Sequence, residues 1–177
     1  DETGIGAGWK MDLTPVYRGA VKITRTVLHL LPGYVAVLDE AELSKEQSVS
    51  LRWHTRDQAA PDEQGRFVVR GEQAKLSGMV TRLDEGEVSI ERKEQVYDPP
   101  HDKGRLGSPL EARRESYVEA TLRSDRCRLL TLFHVTSSDA PEIAWSREGE
   151  GWTCGDATLL VSDSGLTLSS QAGSISI

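Results

Sequence analysis

"RTVLHLLPGYVAVLDE", residues 25–40, decides how the chain folds. Two apolar runs of strand length flank Pro32-Gly33, a turn dipeptide, so the segment reads as a β-hairpin. Each arm carries one ion, Arg25 in the first and Asp39 in the second. Val21, Ile23, Arg25 and Val27 share one face of the first arm; Val35, Val37, Asp39, Ala41 and Leu43 share one face of the second. For both faces to meet a common core, opposed residues must have numbers of like parity. The two registers that satisfy this place Arg25 directly opposite Asp39 or one step along, within reach in either case. A lone ion in a core is costly, whereas an arginine fork holding a carboxylate through two bonds is tolerable. Arg25 and Asp39 are therefore expected to be a structural ion pair that pins the hairpin register. The competing reading, an acid or base held by an arginine, is the less favoured one, and no catalytic residue is assigned.

Working outward, period-two patterning continues. In "QSVSLRWHT" (47–55) Val49, Leu51 and Trp53 alternate with Ser48, Ser50, Arg52 and His54. "GEVSIERKEQVY" (86–97) and "RESYVEATLR" (114–123) alternate likewise, and "RCRLLTLFHV" (126–135) is apolar on both faces, as a strand covered on both sides should be. Turn signals separate the runs. Strands are expected over 20–31, 34–43, 48–55, 66–70, 73–82, 86–97, 114–123, 127–136, 142–148 and 157–162. Many short strands at this spacing imply an all-β, antiparallel two-sheet β-sandwich with little or no helix. Residues 1–11 are read as a flexible N-terminal segment and 12–177 as a single sandwich domain. One helical turn is signalled in "SPLEARRE", where Ser108 precedes Pro109 and Glu111.

Composition narrows the function. The chain has 177 residues, 37% of them hydrophobic and 28% charged, with a net charge of −7. That charge opposes generic attraction to nucleic acid or anionic membranes. No apolar run approaches the roughly 20 residues that cross a bilayer, and "DETGIGAGWK" has no signal-peptide pattern. A start without Met reads as a processed or excised chain. Cys127 and Cys154 form no zinc framework and read as two isolated buried thiols, with a disulfide as the alternative. Neither a metal site nor a cofactor is expected.

The segment "DPPHDKGRLGSPLEAR" (98–113) is the one long stretch without a strand pattern. Long connections in compact domains are often functional. Tyr97, His101, Lys103 and Arg105 gather aromatic and basic character there, suited to stacking on a sugar ring and pairing with its acidic groups. Arg52 and His54, on the polar side of their strand, are further candidates for an oxyanion contact. The bland reading of both groups is a solvated surface. Of the tryptophans, Trp53 is expected in the core, Trp145 and Trp152 across one hairpin, and Trp9 exposed.

The run "DLTPVYRGAVKITRTVLHLLPGYVAVLDEAEL" (12–43) followed by "VSLRWHT" (49–55) resembles the carboxyl-terminal region of the heparinase II/III-like polysaccharide lyases. The shared features are a Leu-Thr-Pro-x-Tyr opening, an arginine beginning an apolar strand, a short turn, and an apolar strand ending in Asp. The resemblance implies an antiparallel β-sandwich attached to an α-helical toroid, in an enzyme that cleaves uronate-containing glycans by β-elimination. It implies that the catalytic and zinc-binding residues lie in preceding segments, because no position here matches them. The implied partners are an acidic polysaccharide and the missing helical catalytic domain, and the implied location is the bacterial periplasm or outside the cell. The readings from other classes are a free-standing carbohydrate-binding or interaction module and a purely structural β domain.

Overall fold

The computed structural model describes residues 4–55, 59–98, 114–162 and 165–177. Among the described residues twelve strands run in chain order: β1 Gly6–Asp12, β2 Ala20–Leu30, β3 Tyr34–Thr55, β4 Arg66–Arg70, β5 Ala74–Arg82 and β6 Ser89–Val96, then β7 Arg114–Ser137, β8 Ser146–Glu148, β9 Gly151–Cys154, β10 Ala157–Ser162, β11 Gly165–Ser170 and β12 Gly173–Ser176. Among the described residues the only helical piece is a 3-10 turn at Thr14–Val16. The larger sheet has the order β1-β2-β3-β7-β5-β4, with β6 also paired to β7; the smaller has the order β12-β11-β10-β9-β8. Every pairing is antiparallel.

The opening hairpin takes the register that sets Arg25 opposite Asp39. The couple is bidentate, Arg25 Nε to Asp39 Oδ1 at 2.6 Å and Nη2 to Oδ2 at 3.0 Å. The face that meets the smaller sheet, however, is the other one. Leu28, Leu30, Ala36, Leu38, Leu130 and Leu132 pack there against Trp152, Leu159, Leu166 and Leu168. Parity alone could not choose between the faces because both are largely apolar. Tyr34 also clasps the two sheets: its ring stacks on His134 at 4.4 Å and its hydroxyl donates to Asp156 Oδ1 at 2.7 Å. Cys154 Sγ lies 3.4 Å from His134 Nδ1, and burial pushes the thiol up to about 11. Cys127 and Cys154 are both free and occupy different clusters.

The Arg25 face is covered from within the larger sheet. The expected pair of strands over 34–43 and 48–55 is one 22-residue strand, β3, and the runs 114–123 and 127–136 are one 24-residue strand, β7. Their ladder continues past a register shift between Glu42 and Gln47. A bulge absorbs the polar stretch there and increases bending, so turn-type residues did not end either strand. The sheet folds back on itself at this level. Trp53 pairs in register with Val118, yet its indole donates to Thr131 Oγ1 at 3.1 Å and meets Phe133 edge-on at 4.9 Å. Ala41, Val49, Leu51, Leu122, Cys127 and Leu129 line the inside of the bend.

Two further expectations change. Residues 6–11, read as part of a flexible N-terminal segment, form β1 together with Asp12 and pair along β2 from Gly6↔Leu30 to Asp12↔Thr24. Their weak alternation hid a strand whose ladder bonds come from β2. The run 142–148 is strand only at Ser146–Glu148. Trp145 and Trp152, which flank the turn between β8 and β9, are both buried in the inter-sheet core, and Trp9 is exposed. The helical turn read at Ser108 lies outside the described residues.

Candidate functional site

The outer half of the folded sheet presents a polar face built by three strands. Arg52 and His54 of β3 stand opposite Glu119 and Tyr117 of β7, and these in turn stand opposite Glu91 and Lys93 of β6. Alternation dictates the arrangement: Trp53 and Val118 point inward to the bend, so their neighbours point out.

Glu119 is the centre. Its residue is only 4% exposed, although it sits on the outward face, because its partners lie over it. Arg52 Nε donates to Oε1 at 2.6 Å, and Lys93 Nζ donates to Oε2. Lys93, then Arg52, holds this carboxylate below its ordinary value, overcoming the opposing effect of burial. Arg52 also lies over the Tyr117 ring, 5.3 Å from its centre. Its Nη atoms make no hydrogen bond among the described residues.

A second carboxylate joins two sequence candidates. Tyr97 Oη donates to Glu115 Oε2 at 2.6 Å, and His54 Nδ1 lies 3.5 Å from the same oxygen. The His54 ring tilts against Tyr117 at 5.3 Å. Arg52, His54 and Tyr97 therefore share one face. His101, Lys103 and Arg105 lie outside the described residues. The ladder between β6 and β7 reaches Val96↔Arg114, so the ends of their connection start beside this face.

Sequence reasoning missed Glu115, Tyr117, Glu119 and Lys93. The alternation had placed Tyr117 and Glu119 on the polar side of their strand, but only the ladder reveals that they face Arg52 and His54. The two cations Arg52 and Lys93 share this face with three carboxylates, Glu91, Glu115 and Glu119. The face can present the remaining guanidinium edge of Arg52, the His54 ring and the Tyr117 ring to a ligand. Glu119 itself is committed to two cations, Arg52 and Lys93.

Arg25 and Asp39 lie elsewhere, on the inner face of the bend, beside a cleft of about 310 Å3 bordered by Tyr17, Ile23, Leu43 and Leu51. The Arg25 guanidinium stacks over Trp53 at 5.4 Å, so the pair ties the hairpin to the folded-back tip. Burial raises the Asp39 carboxyl above its ordinary value, and Arg25 only partly offsets this. Among the described residues no group of three His, Cys, Asp or Glu side chains converges to hold a metal.

The architecture so defined is an all-β two-sheet domain whose longer sheet folds over itself and carries a polar outer face. No protein-family model matches the chain, and no curated protein does. Solved structures do. A heparinase III structure with methylated lysines matches over 98% of this chain and 25% of its own, with 16% identity and a TM-score of 0.63. A mutant of the heparan sulfate lyase HepC from Pedobacter heparinus matches over 97% of this chain and 26% of its own, at 16% identity and a TM-score of 0.59. Another heparinase III structure matches over 98% and 25%, at 10% identity and a TM-score of 0.61. At such identities the likeness is one of fold. The chain spans about a quarter of the length of these structures.

Proposed function

We propose that this chain is the non-catalytic carboxyl-terminal β domain of a heparinase II/III-like polysaccharide lyase. The observation that carries the reading is the fold match over 98% of this chain and only a quarter of a heparinase III structure, which leaves most of such a protein to do the chemistry. In the parent protein a base removes the proton at C5 of a uronate, the C4–O bond breaks, and a C4=C5 double bond forms as the leaving oxygen takes a proton. This domain supplies no base for that step. It supports the helical catalytic part and lines the edge of the substrate cleft.

The cleft-lining role falls to the polar face. Arg52, half in water, offers its Nη atoms to a carboxylate or sulfate, with His54 and Tyr97 beside it. His101, Lys103 and Arg105, in the sequence between β6 and β7, are the further candidates for such contacts. Acidic polysaccharide is therefore the partner, met through the parent protein, which works in the periplasm or outside the cell.

The test compares this chain with the complete encoded protein on heparan sulfate, following the ultraviolet absorbance of the unsaturated uronate product. Product is expected from the complete protein alone. Turnover by the 177-residue chain by itself, or a complete protein with no lyase activity on any uronate glycan, overturns the reading.

A further inference from the structure

The three most exposed large apolar side chains among the described residues fall within one short segment: Val16 is 72% exposed, Val21 56% and Tyr17 54%. Hydrogen bonds fix the turn that carries the first two of them along the chain. Leu13 N donates to Ile23 O at 2.8 Å, Ile23 N donates to Thr14 Oγ1 at 2.9 Å, and Thr14 N donates to Asp12 Oδ1 at 2.9 Å. Val16 and Tyr17 are thus held out in water instead of folding onto β2. Tyr17 also borders the cleft of about 310 Å3 beside the inner ion pair, whose apolar lining is Leu13, Ile23, Leu43, Val49 and Leu51. Arg25 lines it too. Asp39 takes its Nε and Nη2, while its Nη1 makes no hydrogen bond among the described residues.

The charges around the cleft do not cancel. Its two lining carboxylates are both matched, Asp39 by Arg25 and Glu40 by Arg128 at 3.1 Å. Glu42 and Glu46, further along β3, are matched by Arg126 and Arg123. Asp12, at the base of the turn, is within electrostatic reach of Lys22. Arg18, which lines the cleft, and Lys45 have no ion pair among the described residues. These two stand together, because Ser44 N donates to Gly19 O at 3.1 Å and each cation is the chain neighbour of one end of that bond. The mouth of the cleft therefore carries unspent positive charge in a chain of net charge −7.

We propose that this face, from the turn at 16–21 into the cleft, docks a segment of the parent polypeptide that lies outside this chain, with an apolar side chain entering the cleft and a neighbouring carboxylate meeting Arg18 and Lys45. That a longer parent exists rests on the function proposed above, since this chain spans about a quarter of the matched heparinase III structure. The chemistry of the segment rests on the surface itself. A small ligand filling the cleft would leave Val16 and Val21 wet, whereas a polypeptide covers cleft and turn together. A backbone carbonyl, present at every residue of such a segment, suits the free Nη1 of Arg25. A second copy of this face would set Arg18 and Lys45 against their equals, and like charges in an interface are costly. Because the turn is already fixed, docking orders little new chain.

The experiment follows amide hydrogen exchange in this chain by itself and in the complete encoded protein. Amides at 16–19 and 49–51 are expected to exchange about tenfold more slowly in the complete protein. Val16→Asp and Arg18→Glu, both at exposed positions, should leave the urea midpoint of the separate chain unchanged and abolish most of that extra protection, about tenfold. Arg18→Lys, which keeps the charge, should retain it within about twofold. Equal exchange in the two proteins, or protection indifferent to Val16→Asp and Arg18→Glu, overturns the docking. So does protection that appears in the separate chain as its concentration rises, which assigns the face to a second copy, or on adding a size-defined heparan sulfate oligosaccharide, which assigns it to a glycan. The two proposals fail separately. Lyase activity in a complete protein that leaves this face unprotected sinks only the docking, and protection in a complete protein without lyase activity sinks only the lyase assignment.

Discussion

Asp39 and Glu119 are both carboxylates tied to an arginine across a β-ladder, and the two regions push them in opposite directions. Asp39 lies on the inner face of the bend with a single partner, Arg25, and burial raises its carboxyl above the ordinary value of 3.8. Glu119 lies on the outer face with two partners, and Lys93 and Arg52 hold it below 4.5 despite burial. What covers each group explains the difference. Apolar bend residues cover Asp39, so withdrawal from water outweighs one guanidinium. The arms of Lys93 and Arg52 cover Glu119, and these carry their own charges to the surface. A closely packed ion pair is thus a fastening in one region and a surface clamp in the other.

The largest expected effect lies at the inner pair. Arg25→Ala should cost ~3 kcal/mol near neutral pH, because it leaves a buried charge uncompensated and removes the cover on Trp53. The loss should shrink on acidification, since Asp39 can then take a proton. Urea midpoints at several pH values test this, and a loss that stays constant with pH would break the contrast.

Glu119→Gln should cost less, about 1–2 kcal/mol near neutral pH, because both partners it abandons can be solvated where they stand. Equilibrium unfolding of that variant measures it, and a cost matching that of Arg25→Ala would mean that the outer face is as dry as the bend.

The pH profiles should separate by sign. Asp39 has a raised folded value, so its contribution is fully present below the unfolded value of 3.8 and is lost as pH rises through the folded value. Glu119 has a lowered folded value, so its contribution is present above 4.5 and is lost as pH falls through the folded value. Asp39→Asn should therefore flatten the decline on the rising side, and Glu119→Gln the decline on the acid side. Stability curves of the two variants that change in the same direction would contradict the comparison.

The smallest effect is the coupling of Arg52 to Glu119. Arg52 is half exposed, so a double-mutant cycle should return ~0.5–1 kcal/mol, falling with added salt. The same cycle on Arg25 and Asp39 should respond less to salt, since both lie mostly out of water.

Much of the inner region was legible beforehand. Parity of the apolar residues around Pro32-Gly33 allowed two registers, both keeping Arg25 near Asp39, and the ladder uses one of them. The outer region was legible only in part. Arg52 and His54 could be assigned to a polar face, but Glu119 lies 67 positions from Arg52 and nothing local joins them. Tyr97 was singled out for its place beside the long connection, and its bond to Glu115 became visible only once β6 lay against β7.

Sequence alone determined that the chain is a set of antiparallel strands, where most of them run, and which residues alternate together, because these follow from a two-residue period and from turn chemistry within a few positions. Tertiary structure alone decided that β3 and β7 run through their polar breaks and bend, which apolar face meets the second sheet, and that Tyr17, Ile23 and Leu51 line one cleft. Those outcomes depend on which layer arrives to cover a face, and a strand that is apolar on both sides carries no local record of that choice.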